Sequence, residues 1–325
     1  MEDNIFENRI DLSALAQSVA DLKNEIGKII VGQERMIELQ IVALLADGHV
    51  LLEGVPGIAK TLAAKLLAKT IDTGYSRIQF TPDLMPSDIL GTSVFNVKTS
   101  EFEFRQGPVF SNIILIDEIN RAPAKTQSAL FELMEERQVT LEGTQYKMQE
   151  PFIVLATQNP IEQEGTYQLP EAQLDRFLFK INIGYPSKEE EIAILNRHHE
   201  NNNLTSLDEL RKILSPEQIK EYRQTVSKIH IELNLMRYIS EIVHQTRNNS
   251  SLYLGASPRA SLAIMNASKA LAAIHGRDFV KPEDIKEIIE PVLNHRIILS
   301  PEKEMEGITI QKVINQIVDK VEVPR

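Results

Sequence analysis

The sequence predicts an α/β protein in which a mostly parallel sheet flanked by helices is followed by a helical second part. Three observations carry this. From Ile29 to about Gly184, short apolar runs alternate with helical patterns. Most of the apolar runs lack the in-out alternation of a half-exposed strand, so they suit strands buried on both faces. Beyond Tyr185, apolar residues recur at three and four spacing behind residues that start helices. These shifts predict an α/β unit over 1–184 and a helical unit over 185–325.

Five strands are expected in the first unit: His49 to Glu53, Arg77 to Phe80, Asn112 to Ile116, Phe152 to Thr157, and Leu178 to Ile183. Two hairpins interrupt them. Val94, Phe95, Val97, Phe102 and Phe104 alternate within Gly91 to Phe110, and Val139 to Met148 alternates around Glu142-Gly143. In the second unit, Ser187 with Glu190 and Ser215-Pro216 with Gln218 match capping boxes, and Ser257-Pro258 places a cap before Pro in a first turn. The polar stretch His198 to Ser206 reads as a connecting loop, and Gly276 as a helix stop ahead of a helix near Pro282.

Composition narrows the class. Of 325 residues, 42% are hydrophobic and 25% charged, an ordinary globular balance that excludes a largely disordered chain. Net charge is −11, which argues against a cationic surface for nucleic acid. Cys is absent, so disulfides, thiol nucleophiles and Cys-type zinc sites are excluded. The N-terminal segment MEDNIFENRIDLSALAQ carries acids where an export signal carries basic residues. The most apolar stretch, Ile41 to Gly54, is broken by Asp47, Gly48 and His49, short of the ~18 continuous residues a membrane span needs.

The strongest chemical signal is Gly54-Val55-Pro56-Gly57-Ile58-Ala59-Lys60-Thr61, set between an apolar strand and the helical pattern LAAKLLAKT. Glycines there let backbone N–H groups turn inward around phosphate oxygens, Lys60 reaches the outer phosphates and Thr61 ligates magnesium. Ala59 departs from the general pattern, where Gly precedes the Lys; a positive φ there would strain Ala by about 1 kcal/mol. The strand Ile113 to Ile116 leads directly into Asp117-Glu118, one acid to hold magnesium and one to polarise an attacking water. Asn159, in Ala156-Thr157-Gln158-Asn159-Pro160, ends another apolar strand with a neutral amide that can bond the water or the terminal phosphate. Arg121 fits either a subunit interface or a solvent-facing helix start. His198 and His199 are adjacent and lack zinc-site spacing, and there is no Gly-x-Ser-x-Gly.

With these elements in place the chain resembles the AAA+ ATPases, and among them the MoxR family of the helix-2-insert branch. The phrases that carry the resemblance are GVPGIAKT, RQGPVFSNIILIDEINRAP, ALFELMEERQVT, LATQNP, QLPEAQLDRF and GASPRASL, in consistent order from Gly54 to Leu262. Ala59 belongs to the family's own wording. The resemblance implies a P-loop core with sheet order 5-1-4-3-2, a C-terminal all-α lid, ATP and Mg2+ as cofactors, and assembly into a ring, commonly a hexamer. It implies that Ile30 and Val31 line the adenine pocket, that Gly54, Val55, Pro56, Gly57, Ile58, Ala59, Lys60, Thr61 and Leu62 hold the nucleotide, and that Thr61 and Asp117 hold the metal. Glu118 then matches the catalytic base, Asn159 sensor 1, Arg176 the arginine finger offered to the neighbouring subunit, and Arg259 sensor 2, acting in cis or in trans. The family further implies a cytoplasmic, chaperone-like motor that remodels or activates other proteins, frequently ones bearing a von Willebrand factor A domain. Helicases on related branches supply one alternative and a slow nucleotide-gated binding module another. Glu101, Glu103 and Glu142 beside Lys98, Arg105 and Lys147 on the hairpins weigh against the first, and intact Glu118 and Arg176 against the second.

Overall fold

The computed structural model describes residues 10–141, 143–160, 166–200 and 209–324. Helices α1 (Ser13–Gly27) and α2 (Glu34–Leu45) precede strand β1 (His49–Glu53), which leads into α3 (Lys60–Lys69), β2 (Tyr75–Gln79) and the short α4 (Pro86–Leu90). A hairpin of β3 (Gly91–Asn96) and β4 (Glu101–Gln106) follows, then β5 (Ile113–Asp117), α5 (Ala124–Glu136) and a second hairpin of β6 (Gln138–Leu141) and β7 (Thr144–Lys147). Strand β8 (Ile153–Gln158), helix α6 (Glu171–Leu174) and strand β9 (Phe177–Asn182) complete the α/β part.

The five long-range strands form one parallel sheet in the order β2-β5-β8-β1-β9, which is 5-1-4-3-2 when these five are counted alone. Alternation along each strand explains why their sequences are apolar throughout. Ile113 and Leu115 enter the core on one face of the sheet, while Ile114 and Ile116 enter a second core on the other. Each such buried side chain stabilises the fold by about 1.5–3 kcal/mol. Strand β2 starts at Tyr75, two residues before the apolar run predicts, because Tyr75 and Ser76 continue the ladder opposite Ile113 and Ile114. Backbone pairing does not require apolar side chains. The expected hairpins both form, and they touch each other: the Phe104 and Tyr146 rings lie 4.4 Å apart. Glu142, in the second turn, lies outside the described residues.

After Gly184 come α7 (Lys188–Glu200), α8 (Pro216–Ser227), α9 (Leu233–Arg247), α10 (Pro258–Ile274), α11 (Pro282–Leu293), α12 (Pro301–Met305) and α13 (Ile310–Lys320). The predicted caps operate. Ser187 and Glu190 bond each other's backbone N–H, as do Ser215 and Gln218, and Ser257 accepts from the Arg259 N–H at 3.2 Å. Gly276, at φ +69°, closes α10 as expected. Two expectations are corrected. The C-terminal part is not wholly helical, since β10 (Leu252–Leu254) pairs antiparallel with β11 (Ile298–Leu299). His198 and His199 belong to the last turn of α7, where the Ser187 box and three acids in the first turn support a longer helix. Residues 201–206 of the expected loop lie outside the described residues.

Strand β9 is an edge strand, and it is covered. Asn294 donates to the Lys180 carbonyl (2.9 Å), and Arg296 donates to the carbonyls of Leu178 (3.1 Å) and Phe177 (2.6 Å), so the edge's free acceptors are satisfied by the helical part. Helices α1 and α2 in turn pack on α10 and α8, and one apolar cluster runs from the sheet through them into the helical part. Among the described residues, no helix is long and apolar enough to cross a membrane.

His49 gives the fold a pH dependence. It is buried at the start of β1, where Nδ1 accepts from the Val154 N–H (3.0 Å) and Nε2 therefore donates to the Met134 carbonyl (3.3 Å). Burial pushes its pKa from 6.5 to about 4. Buried His295, beside the Arg296 guanidinium, is held well below the usual range for the same first reason. The unfolded chain takes up protons below its ordinary pKa that the folded chain refuses, so stability falls as pH drops from about 6.5 toward 4, by up to about 1.4 kcal/mol per pH unit for each such group. Urea midpoints should decline across that window. His49→Gln should flatten the decline; an unchanged slope would count against the assignment.

Candidate nucleotide site

The loop between β1 and α3 is shaped for an anion. Gly57 has φ +87°, in the left-handed region that glycine adopts freely. Gly54 has no room for a side chain, since a Cβ would stand 2.5 Å from the Ile58 side chain and 2.7 Å from the Ile183 carbonyl. Ala59 does adopt a positive φ, +64°, so the expected strain is real and the backbone here is held against its own preference. Helix α3 opens with the Ala63 N–H bonding the Ala59 carbonyl at 2.9 Å, which leaves the N–H groups of residues 60–62 ahead of the helical ladder, at the positive end of the helix. The Lys60 ammonium bonds the Gly54 carbonyl and lies 3.1 Å from the Gln158 carbonyl, spanning the ends of β1 and β8.

Around this loop lies a cleft of about 390 Å³ lined by Pro56, Gly57, Ala59, Lys60, Thr61 and Leu62 on one side and by Asp117, Glu118, Thr157 and Asn159 on the other. Parallel strands bring these together because β1, β5 and β8 are neighbours and end at the same edge of the sheet. Thr61 Oγ1 donates to Asp117 Oδ1 at 2.8 Å, and Asp117 is buried. A hydroxyl and a carboxylate this close, beside a lysine and a helix N-terminus, fit a magnesium-bound polyphosphate, with Thr61 and Asp117 as the metal-holding pair. Glu118 has a left-handed backbone, φ +57°, that turns it away from Asp117, and its N–H bonds Thr157 Oγ1 at 3.1 Å. Its carboxylate is held by Gln79 (2.8 Å) and Arg121 (3.1 Å), so Arg121 pairs with the acid three residues before it.

Val55 and Ile58 pack toward the apolar core, and neither lines the cleft. Ile30 and Val31 line a separate groove of about 820 Å³ with Gly32, Lys28, Arg35 and Arg197. Arg176 and Arg259 also lie outside the cleft, and they lie together. Arg176 bonds the Phe131 carbonyl and approaches Glu135 (3.7 Å), while Arg259 bonds Glu135 at 2.7 Å.

Sequence reasoning missed three residues of the cleft. Arg77 donates to Asp117 Oδ2 at 2.7 Å, a bond that raises its own pKa; Gln79 holds Glu118; and Thr157 bonds both acids' segment. The signal was the alternation in β2, where Arg77 and Gln79 share one face and Ile78 and Phe80 the buried other.

Two family profiles match the chain: "ATPase family associated with various cellular activities (AAA)" over residues 49–179 and "AAA lid domain" over residues 244–317. Fold, cleft and profiles define an ATPase of the AAA class with its lid. Over nearly the whole chain, the uncharacterized protein YeaC of Bacillus subtilis (strain 168) is 47% identical, covering 92% of each chain. The chaperone MoxR1 of Mycobacterium tuberculosis (strain ATCC 25618 / H37Rv) is 46% identical, covering 93% of this chain and 81% of that one. A crystal structure from Cytophaga hutchinsonii ATCC 33406, of a protein assigned provisionally as an ATPase, superposes with a TM-score of 0.88 at 46% identity, covering 96% of this chain and 97% of that one. The chain belongs to the MoxR family of AAA ATPases.

Proposed function

We propose that the protein hydrolyses ATP with magnesium in a ring of identical subunits, commonly six in this family, and uses the cycle to remodel or activate partner proteins. The observation that carries the reading is the 2.8 Å contact between Thr61 and Asp117 at the mouth of a loop whose Lys60, Glu118 and Asn159 face the same cleft. Lys60 neutralises the outer phosphates, and Thr61 and Asp117 would hold a magnesium ion whose charge would compensate that of the terminal phosphoryl group. Glu118, freed from Gln79 and Arg121, takes a proton from the attacking water, and Asn159 orients that water or the terminal phosphate. The family resemblance assigns Ile30 and Val31, which line the separate groove, to the base side of the nucleotide.

Arg176 and Arg259 share Glu135 and do not line their own cleft, which supports both serving a neighbour's nucleotide in trans. This is why a ring, and a site completed by two subunits, belongs to the reading. We place the boundary between the ATPase unit and the lid at 184/185, and the protein in the cytoplasm. A chaperone-named relative and the hairpins favour protein partners, with a von Willebrand factor A domain as the type to test first. On the hairpins Asn96 bonds Glu103 (2.6 Å), and Lys98 and Arg105 share a groove with that acid, a mixed surface that does not favour nucleic acid.

The test is ATP turnover with magnesium, with and without single-stranded DNA, beside Glu118→Gln. That variant should lose ~10²–10⁴-fold in turnover while still binding nucleotide, the loss ordinary for a removed general base. Stimulation of the parent by DNA would replace the protein-remodelling reading with the helicase one. Undiminished turnover in the variant would remove Glu118 as the base.

A further inference from the structure

Arg296 follows α11 in the lid and is buried, with its side chain 3% exposed. Burying a guanidinium costs several kcal/mol unless its donors are bonded and its charge is met. Here both conditions hold. Nε donates to Asp175 Oδ1 at 2.7 Å, one terminal nitrogen to the carbonyls of Leu178 (3.1 Å) and Val292 (2.5 Å), and the other to those of Asp175 (3.1 Å) and Phe177 (2.6 Å). Three of the five acceptors, the carboxylate included, sit on Asp175 and Phe177, the two residues flanking Arg176. The fork therefore grips the turn that bears Arg176 from both sides.

The other oxygen of the same carboxylate points elsewhere in the lid. Asp175 Oδ2 accepts from Ser257 Oγ at 3.2 Å and lies 4.0 Å from Arg259. Ser257 is the N-cap of α10, the helix whose first turn carries Arg259. One carboxylate thus joins the end of α11, the start of α10 and the Arg176 turn. A buried bond of this kind holds geometry far better than an exposed ion pair.

We propose that Arg296 and Asp175 are positioning residues that fasten the lid to the Arg176 turn, so that the lid's orientation sets where Arg176 stands toward the neighbouring subunit's nucleotide. Lid and finger then move as one body, and Arg259 travels with them through Ser257. The inference rests on the proposed role of Arg176 in hydrolysis, and it adds a cause for that residue's placement.

The experiment compares Asp175→Asn, Arg296→Lys, Arg176→Ala and the double variant Asp175→Asn with Arg176→Ala, in the full chain. Displacing a reacting group by about 1 Å costs ~10²-fold, so Asp175→Asn and Arg296→Lys should lower kcat on that scale with KM for ATP and fluorescent-nucleotide affinity unchanged. The double variant should turn over no more slowly than Arg176→Ala alone, because both changes act through one side chain. A further loss in the double variant would overturn the inference, since a general structural defect adds to the loss of the finger. Parent-like turnover in Asp175→Asn and Arg296→Lys, with Arg176→Ala impaired, would overturn it alone. Parent-like turnover in Arg176→Ala would instead bring down the finger reading and this inference with it. If Arg296→Lys does not fold, Ser257→Ala takes its place, with the same loss of kcat expected and the same parent-like result against it.

Discussion

Lys60→Ala is expected to abolish tight nucleotide binding, the largest effect of any single substitution on affinity. The ammonium closes the loop by spanning the Gly54 and Gln158 carbonyls, so it stands at the ends of β1 and β8. A triphosphate offers it charged acceptors in place of neutral ones. Hydrogen bonds to charged groups contribute about 1.5–3 kcal/mol each. Losing one or two weakens binding by roughly 10–10⁴-fold. Titration with a fluorescent ATP analogue and magnesium measures this directly. A dissociation constant close to the parent's would mean that the triphosphate is cradled elsewhere, and the assignment of the loop would fall.

Arg176→Ala is expected to act on turnover in the opposite proportion, with affinity intact and kcat lower by ~10³-fold or more, as arginine fingers generally behave. The structure gives the reason for the separation. Arg176 lies outside the cleft of its own chain and leans on the Phe131 carbonyl and Glu135 at the C-terminal part of α5. In its own subunit it is not among the residues that line the proposed nucleotide cleft. Mixing Arg176→Ala with Lys60→Ala should restore activity where subunits exchange, because one supplies a working cleft and the other a working finger. Persistent inactivity of the mixture, with exchange demonstrated, would refute the shared site.

Much of this was legible because it depends on local pattern. The doubly buried strands announce themselves by their continuous apolar runs, and Gly57, Lys60 and Thr61 by a spacing that few other structures need. Ser187, Ser215 and Ser257 mark helix starts by chemistry confined to one turn. Helix α1 went unread, although Leu15, Val19, Leu22 and Ile26 keep the helical period and are all buried. What sequence alone did not disclose is pairing at long range. Arg77 meets Asp117 across 40 positions and Arg296 meets Asp175 across 121. A buried arginine in the run Asn294-His295-Arg296 reads as a surface cation until the edge strand that satisfies it is known. Likewise, nothing local to Arg176 and Arg259 indicates that Glu135 draws them to one surface.

The apolar cluster that continues from the sheet through α1 and α2 into α8 and α10 also limits the amplitude of any power stroke. Ile41, Leu44, Leu271 and Ile264 belong to one packed interior. Close-packed interiors do not shear freely, and a seam this hydrophobic resists separation. Excursions of the lid large enough to part it from the N-terminal helices would wet that interior. Any ATP-driven travel of the lid under the proposed function would therefore be confined to small rotations about the seam.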